Sequence, residues 1–171
     1  MISNFVKYLL AFVLYLMVFQ VMIINNINFG FYIHPYVYIL FLLILPIEIS
    51  GWALLLLSFL TGLTMDMFEN SPGIHASSSV FLGFIRQFVL KSIAPRDGYD
   101  VGSLPIPSHL GFAWFFKYTV VCAVVHHLFL FIVEEFSFSQ IWIIIIKTVL
   151  SSVVSIIFIM VIRLFGSVNR K

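Results

Sequence analysis

The chain has 171 residues, 62% of them apolar and 9% charged, with 20 Phe, a formal charge of +2 and a mean hydropathy of +1.13. Soluble domains carry about 25% charged residues, so these values exclude a water-soluble globule, and so small a net charge gives no case for nucleic acid. A helix needs about 20 apolar residues to cross about 30 Å of hydrocarbon, so this length predicts about six spans and no extramembrane domain.

The predicted spans are Phe5 to Ile24, Phe31 to Ile47, Ile49 to Met65, Ile74 to Ala94, Phe112 to Val133 and Ile141 to Phe165, forming one all-α integral membrane domain over 1–171. Lys7 precedes a long apolar run with no small-residue cleavage site, which predicts an uncleaved first span. Barrel strands would alternate apolar and polar residues, whereas Trp52 to Leu57 and Ile141 to Ile146 are continuously apolar. Connections fall at Asn25 to Gly30, Pro46 to Ser50, Asp66 to Gly73, Pro95 to Gly111 and Glu134 to Gln140. Lys7, Lys91, Arg96, Arg163, Arg170 and Lys171 gather on one side, while Asp66, Glu69, Glu134 and Glu135 mark the other. The positive-inside rule then makes both termini and the Pro95 to Gly111 loop cytoplasmic. Cys122, the single cysteine, lies in an apolar run and allows no intrachain disulfide.

Charges inside spans need partners or a route to the interface. Lys117 is near enough to the cytoplasmic end of span five to snorkel. Arg86 lies deeper in span four, and a pair with Glu48 at the corner of spans two and three would lower the cost of both. Lys147 lies about 10 Å below the outer end of span six, with Ser151 and Ser155 following at helical spacing. That stripe is predicted to face the bundle, with Asp66, Glu134 or Glu135 as partner to Lys147, either as an orienting ion pair or as part of a relay.

Span three carries Ser58, Gly62 and Asp66 at i, i+4 and i+8, and span four carries Ser79, Gly83 and Gln87 in the same rhythm. Small residues at this interval allow close backbone approach, so the two spans are predicted to form a tight hairpin through the turn that ends at Gly73. Asp66 and His75 bracket the turn, and the carboxylate is expected to accept from the imidazole or from amides at the start of span four. His126 and His127 point about 100° apart on span five, an arrangement poorly suited to one metal. Zinc-protease, nucleophile-elbow and phosphate-loop motifs are missing, and Asp66 has no second aspartate near a span, so the expectation is a non-enzyme with no catalytic residues, cofactor or metal. The Pro95 to Gly111 loop offers Arg96, Asp97 and Asp100 with Tyr99, Leu104 and Ile106 to a cytoplasmic partner, or serves as a plain connector.

The stretch Gly62-Leu63, Asp66 and Ser71-Pro72-Gly73-Ile74-His75-Ala76, preceded by Pro46 at the helix corner, resembles the rod shape-determining MreD family. Ser108 to Trp114 and His126 to Phe129 are similar to its Bacteroidetes branch. The resemblance implies an inner-membrane, non-enzymatic component of the cell-elongation complex. Its implied partners are an MreC-like protein and, through the complex, an MreB-like actin, a RodA-like glycosyltransferase and its transpeptidase, in support of cell shape and lateral peptidoglycan synthesis. It also implies the six-helix arrangement of energy-coupling-factor substrate-binding subunits, which supplies the alternative of a vitamin-type transporter subunit. In that alternative Asp66, His75 and Lys147 line an outward-facing pocket; likeness of fold alone does not carry a function across.

Overall fold

The computed structural model describes residues 14–136 and 140–168, with side chains through residue 164. Lys7, Arg170, Lys171 and the first part of span one lie outside the described residues. The elements are α1 (Leu14–Asn26, closing in a 3-10 turn over Ile24–Asn26), α2 (Leu40–Ile44), α3 (Gly51–Glu69), α4 (Ile74–Ser92), α5 (Pro107–Leu110), α6 (Phe112–Glu135) and α7 (Ile141–Val168). Among the described residues all regular structure is helical. Gly51–Glu69, Phe112–Glu135 and Ile141–Leu164 are each long and apolar enough to cross a membrane. With the composition, they make this a membrane-embedded all-helical protein.

Helices α3, α4, α6 and α7 pack against one another in chain order. Each buries one stripe at spacings of three and four: Leu54, Ser58, Thr61, Gly62 and Met65 on α3, and His75, Ser79, Leu82, Gly83, Arg86 and Leu90 on α4. The remaining faces stay apolar, as lipid-facing surface requires. Between α3 and α4 the chain reverses through Asn70 and Gly73, both with positive φ (52° and 88°). Asn70 closes the helix by donating its amide to the Asp66 carbonyl, a left-handed cap that few residue types other than Gly and Asn accept readily.

The second predicted span is not a continuous helix. Residues 33–37 have no regular structure, and regular helix is confined to the five residues of α2. Pro35 lacks an amide and disfavours helical geometry at His34, and Pro46 bounds the segment on its other side. This strap is nonetheless the centre of the molecule: Tyr36 is 7% exposed, and every residue from Val37 to Leu43 is exposed by 2% or less. Irregular backbone at such depth is tolerated only where protein groups satisfy it, and here they do. Gln20 of α1 accepts from the Val37 amide (2.7 Å) and donates to the Pro35 carbonyl (2.9 Å). On the other side of the strap, α7 places Ser151 Oγ at 2.9 Å from the His34 amide and Ser155 Oγ at 2.8 Å from that of Tyr36. Tyr118 of α6 donates to the Leu43 carbonyl (3.1 Å), and Arg86 donates to the carbonyls of Leu45 and Pro46. The serine stripe on α7 thus faces the bundle because it holds the strap.

At the end that carries Lys91 and Arg96, the Pro95 to Gly111 connection folds back on the helices. Tyr99 Oη donates to the Leu90 carbonyl (2.6 Å), and Trp114 Nε1 donates to that of Ile93 (2.8 Å). Partial burial pushes the Tyr99 phenol above its ordinary pKa, so it stays a donor. Ile106, an anchor only if the loop binds a partner rather than serving as a plain connector, is buried in the fold, whereas Val101 is 92% exposed.

Candidate functional site

The polar groups of interest lie at the opposite, acidic end, where α1 and α3 finish and α4 begins. Asp66 does not meet the His75 ring. Its Oδ1 accepts from the His75 amide (2.9 Å) and the Ser71 hydroxyl (3.1 Å), and its Oδ2 from the amides of Ala76 (3.0 Å) and Gly73 (3.1 Å). The carboxylate is therefore consumed in closing the turn and capping α4. The His75 ring turns instead to Glu69, donating from Nε2 to Oε2 at 3.1 Å. Asn25 at the end of α1 donates to the other oxygen of Glu69 at 3.0 Å.

Behind His75 runs a buried chain of side chains. Tyr38 Oη of the strap lies 3.3 Å from His75 Nδ1, 3.2 Å from Ser79 Oγ and 2.9 Å from His126 Nε2. Tyr38 Oη has one proton to give, so at least two of these three neighbours donate to it. His126 Nδ1 is left without a hydrogen-bond partner among the described residues. His127 points elsewhere: its Nδ1 donates to the Ala123 carbonyl (2.8 Å) and its Nε2 accepts from Ser155 (3.1 Å). The two adjacent histidines therefore serve different elements, and no group of three metal-ligating side chains forms among the described residues.

A cleft of about 280 Å³ opens beside this network, bounded by the end of α1, the start of the strap and Glu69. Asn25, His34, Tyr36 and Glu69 supply its polar wall, and Ile24, Ile27 and Ile33 part of its apolar wall. Neither Asp66, His75 nor Lys147, the lining expected under the transporter alternative, borders it. Lys147 is instead engaged by Glu135 (2.6 Å) and Glu134 (3.9 Å), with its amino group 5.7 Å from the centroid of the Phe131 ring.

The expected Glu48 to Arg86 pair does not form. Glu48 is exposed at its corner, whereas Arg86 is 1% exposed and directs Nε to Tyr118 Oη (2.8 Å) and its guanidinium to the strap carbonyls. Burial beside uncapped carbonyls offers a guanidinium several acceptors at once, which a surface carboxylate cannot match. Lys117 is exposed. Ser58 returns its hydroxyl to the Leu54 carbonyl (2.8 Å) and packs against Gly83. Gly62 lies so close to α4 that a Cβ there would sit 2.5 Å from Ala76 Cα. The small-residue faces of α3 and α4 are thus spent on each other rather than left open for partners.

Sequence reasoning passed over Glu69, Asn25, Tyr36 and Tyr38 as site residues. Glu69 carried only its charge sign in the topology argument, and both tyrosines stood in a segment taken for a span. Compared with models of known protein families, with characterised proteins and with solved structures, the chain matches none.

Proposed function

We propose that this chain is a non-enzymatic, multi-pass component of the bacterial inner membrane, with both termini cytoplasmic, that supports cell elongation and lateral peptidoglycan synthesis by binding an MreC-like protein. The reading rests on the resemblance of the α3 to α4 hairpin, and the observation that carries it is the hairpin's construction. Asp66 ties down four donors, and Gly62 locks α3 onto α4. A hairpin so fixed presents a set apolar face, on which Trp52, Leu56, Phe59, Leu60, Leu63 and Met67 are exposed at helical spacing. Helices associate in lipid through packing rather than through the hydrophobic effect, and a preformed face costs little ordering when a partner helix arrives.

The test is photo-crosslinking from Phe59 and Leu63 in the native membrane, followed by affinity purification and mass spectrometry. Recovery of an MreC-like protein with peptidoglycan-synthesis enzymes supports the reading. Recovery of paired ATPases with a coupling membrane subunit would overturn it.

One observation favours the second reading, a small-ligand-binding subunit of an energy-coupling-factor transporter: the polar cleft of about 280 Å³, just below the usual range for ligand sites. Under that reading a vitamin panel includes a compound that raises the melting temperature of the purified protein. A flat response across the panel removes it.

A further inference from the structure

We infer that the cleft at the acidic end is a binding site for a primary ammonium group on a short hydrocarbon arm. The inference names what the cleft takes and requires neither an elongation partner nor transport.

Charge decides the class of ligand. Glu69 is the one Asp, Glu, Lys or Arg among the residues lining the cleft; its side chain is 21% exposed, and Asn25, which donates to its Oε1, brings no charge of its own. A carboxylate offers about four acceptor positions, and Asn25, His75 and Tyr36 take at most three, so a further donor has a place to bind. Two helix C-termini converge on the same space, since Ile24 and Asn25 belong to the last turn of α1 and Glu69 is the last residue of α3. The C-terminal end of a helix carries partial negative charge from the aligned peptide dipoles, which favours a cation and disfavours an anion.

Shape decides which cation. Calcium needs six to eight oxygen ligands and magnesium a near-ideal octahedron, far more than one carboxylate and the Asn25 amide supply. An ammonium needs only a few acceptors, and Ile24, Ile27 and Ile33 provide an apolar wall for the methylenes attached to it. Tyr36 adds a ring to the wall, held edge to face against His75 with centroids 4.8 Å apart, and aromatic faces attract cations. The Glu69, His75, Tyr38 and His126 series fixes the carboxylate from behind, so little ordering is left for the ligand to impose. Such a group could come from a free small amine or from the headgroup of phosphatidylethanolamine.

The experiment uses the full chain in two arms. Purified in maltoside micelles, it is titrated with ethanolamine and, in parallel, with uncharged N-acetylethanolamine while thermal unfolding is followed. Incorporated into nanodiscs of mixed phosphatidylethanolamine and phosphatidylglycerol, it is then released and its retained lipids are weighed by native mass spectrometry. A saturable rise in melting temperature with ethanolamine alone assigns a free amine; selective retention of phosphatidylethanolamine assigns the lipid. In either case Glu69→Gln should weaken binding by about tenfold or more, because the ligand loses a charge-assisted hydrogen bond. Ile27→Trp, at an exposed position, fills the cleft without touching the carboxylate and gives the same loss if Glu69→Gln fails to fold. Absence of ammonium-dependent binding in both arms, or binding that survives both substitutions, overturns the inference. A vitamin response without an ammonium response would keep the transporter reading and sink this one; the reverse result separates them the other way.

Discussion

Asp66 and Arg86 are two buried charges with opposite tasks, since one satisfies orphaned donors and the other orphaned acceptors. The Asp66 carboxylate accepts from three amides and a hydroxyl at the positive end of the α4 dipole. A helix cap is worth about 1 kcal/mol and hydrogen bonds to a charged group about 1.5–3 kcal/mol, so Asp66→Ala should cost about 2–4 kcal/mol. Asp66→Asn keeps one accepting oxygen and should fall between, as read by thermal unfolding in micelles; equal melting temperatures for all three proteins would mean that the turn backbone alone holds the hairpin. Arg86 answers the carbonyls of Leu45 and Pro46 and the Tyr118 hydroxyl. Replacing it with Met leaves buried groups unpaired at about 1–3 kcal/mol each. Arg86→Lys should recover only part of that loss, because one ammonium lacks the planar fork that reaches several acceptors at once. Full rescue by Lys would show that the charge matters and the fork does not.

Among the elements, the long helices were legible and the strap was not. Continuous hydropathy located α3, α6 and α7, each long and apolar enough to span, and α4 lies where the fourth apolar stretch was read. The same signal failed over residues 31–47, since a segment buried on every side is as apolar as one facing lipid, and periodicity cannot separate the two. What distinguished it was local: Pro35, which disfavours helix at His34, and Pro46, which bounds the segment. Gln20 serves the strap as a neighbouring strand would, giving one acceptor and one donor to adjacent backbone groups. Gln20→Leu should therefore destabilise by about 2–4 kcal/mol, more than Ser151→Ala, which removes the partner of the His34 amide and only a long contact (3.5 Å) to the Tyr32 carbonyl. Equal effects in denaturant unfolding would argue that water replaces both. For the hairpin, Gly62→Ala drives a Cβ into the backbone of His75 and Ala76, whereas Gly83→Ala crowds the Ser58 side chain, whose hydroxyl can rotate away, and makes ordinary contact with Leu54. Overpacking costs about 1–3 kcal/mol, and the first substitution should lie at the upper end and the second at the lower. The opposite order in melting temperature would place the tight contact elsewhere.

Across the whole molecule, the strap joins helices that are not all neighbours, since α1, α4, α6 and α7 each contribute a side chain to its backbone or to Tyr38. That explains why the candidate site was only half legible. The sequence placed Asp66, Glu69 and His75 at one end through turn chemistry and charge, but the approach of Tyr38 to His75 and His126, and of Asn25 to Glu69, depends on a chain path that no local pattern encodes. The same path makes a prediction about dynamics. Amides exchange slowly where opening requires global disruption and quickly where hydrogen bonds face solvent or few contacts hold the chain. The Tyr36 and Val37 amides are bonded only to side chains, yet those side chains belong to α7 and α1, so freeing either amide separates a helix from the core. Hydrogen exchange in micelles should therefore find residues 36–43 as protected as the buried face of α4, with residues 98–102 of the exposed loop exchanging far sooner. Fast exchange at Tyr36 and Val37 alongside slow exchange in α4 and α6 would mean that the helices form the core by themselves and the strap merely lies between them.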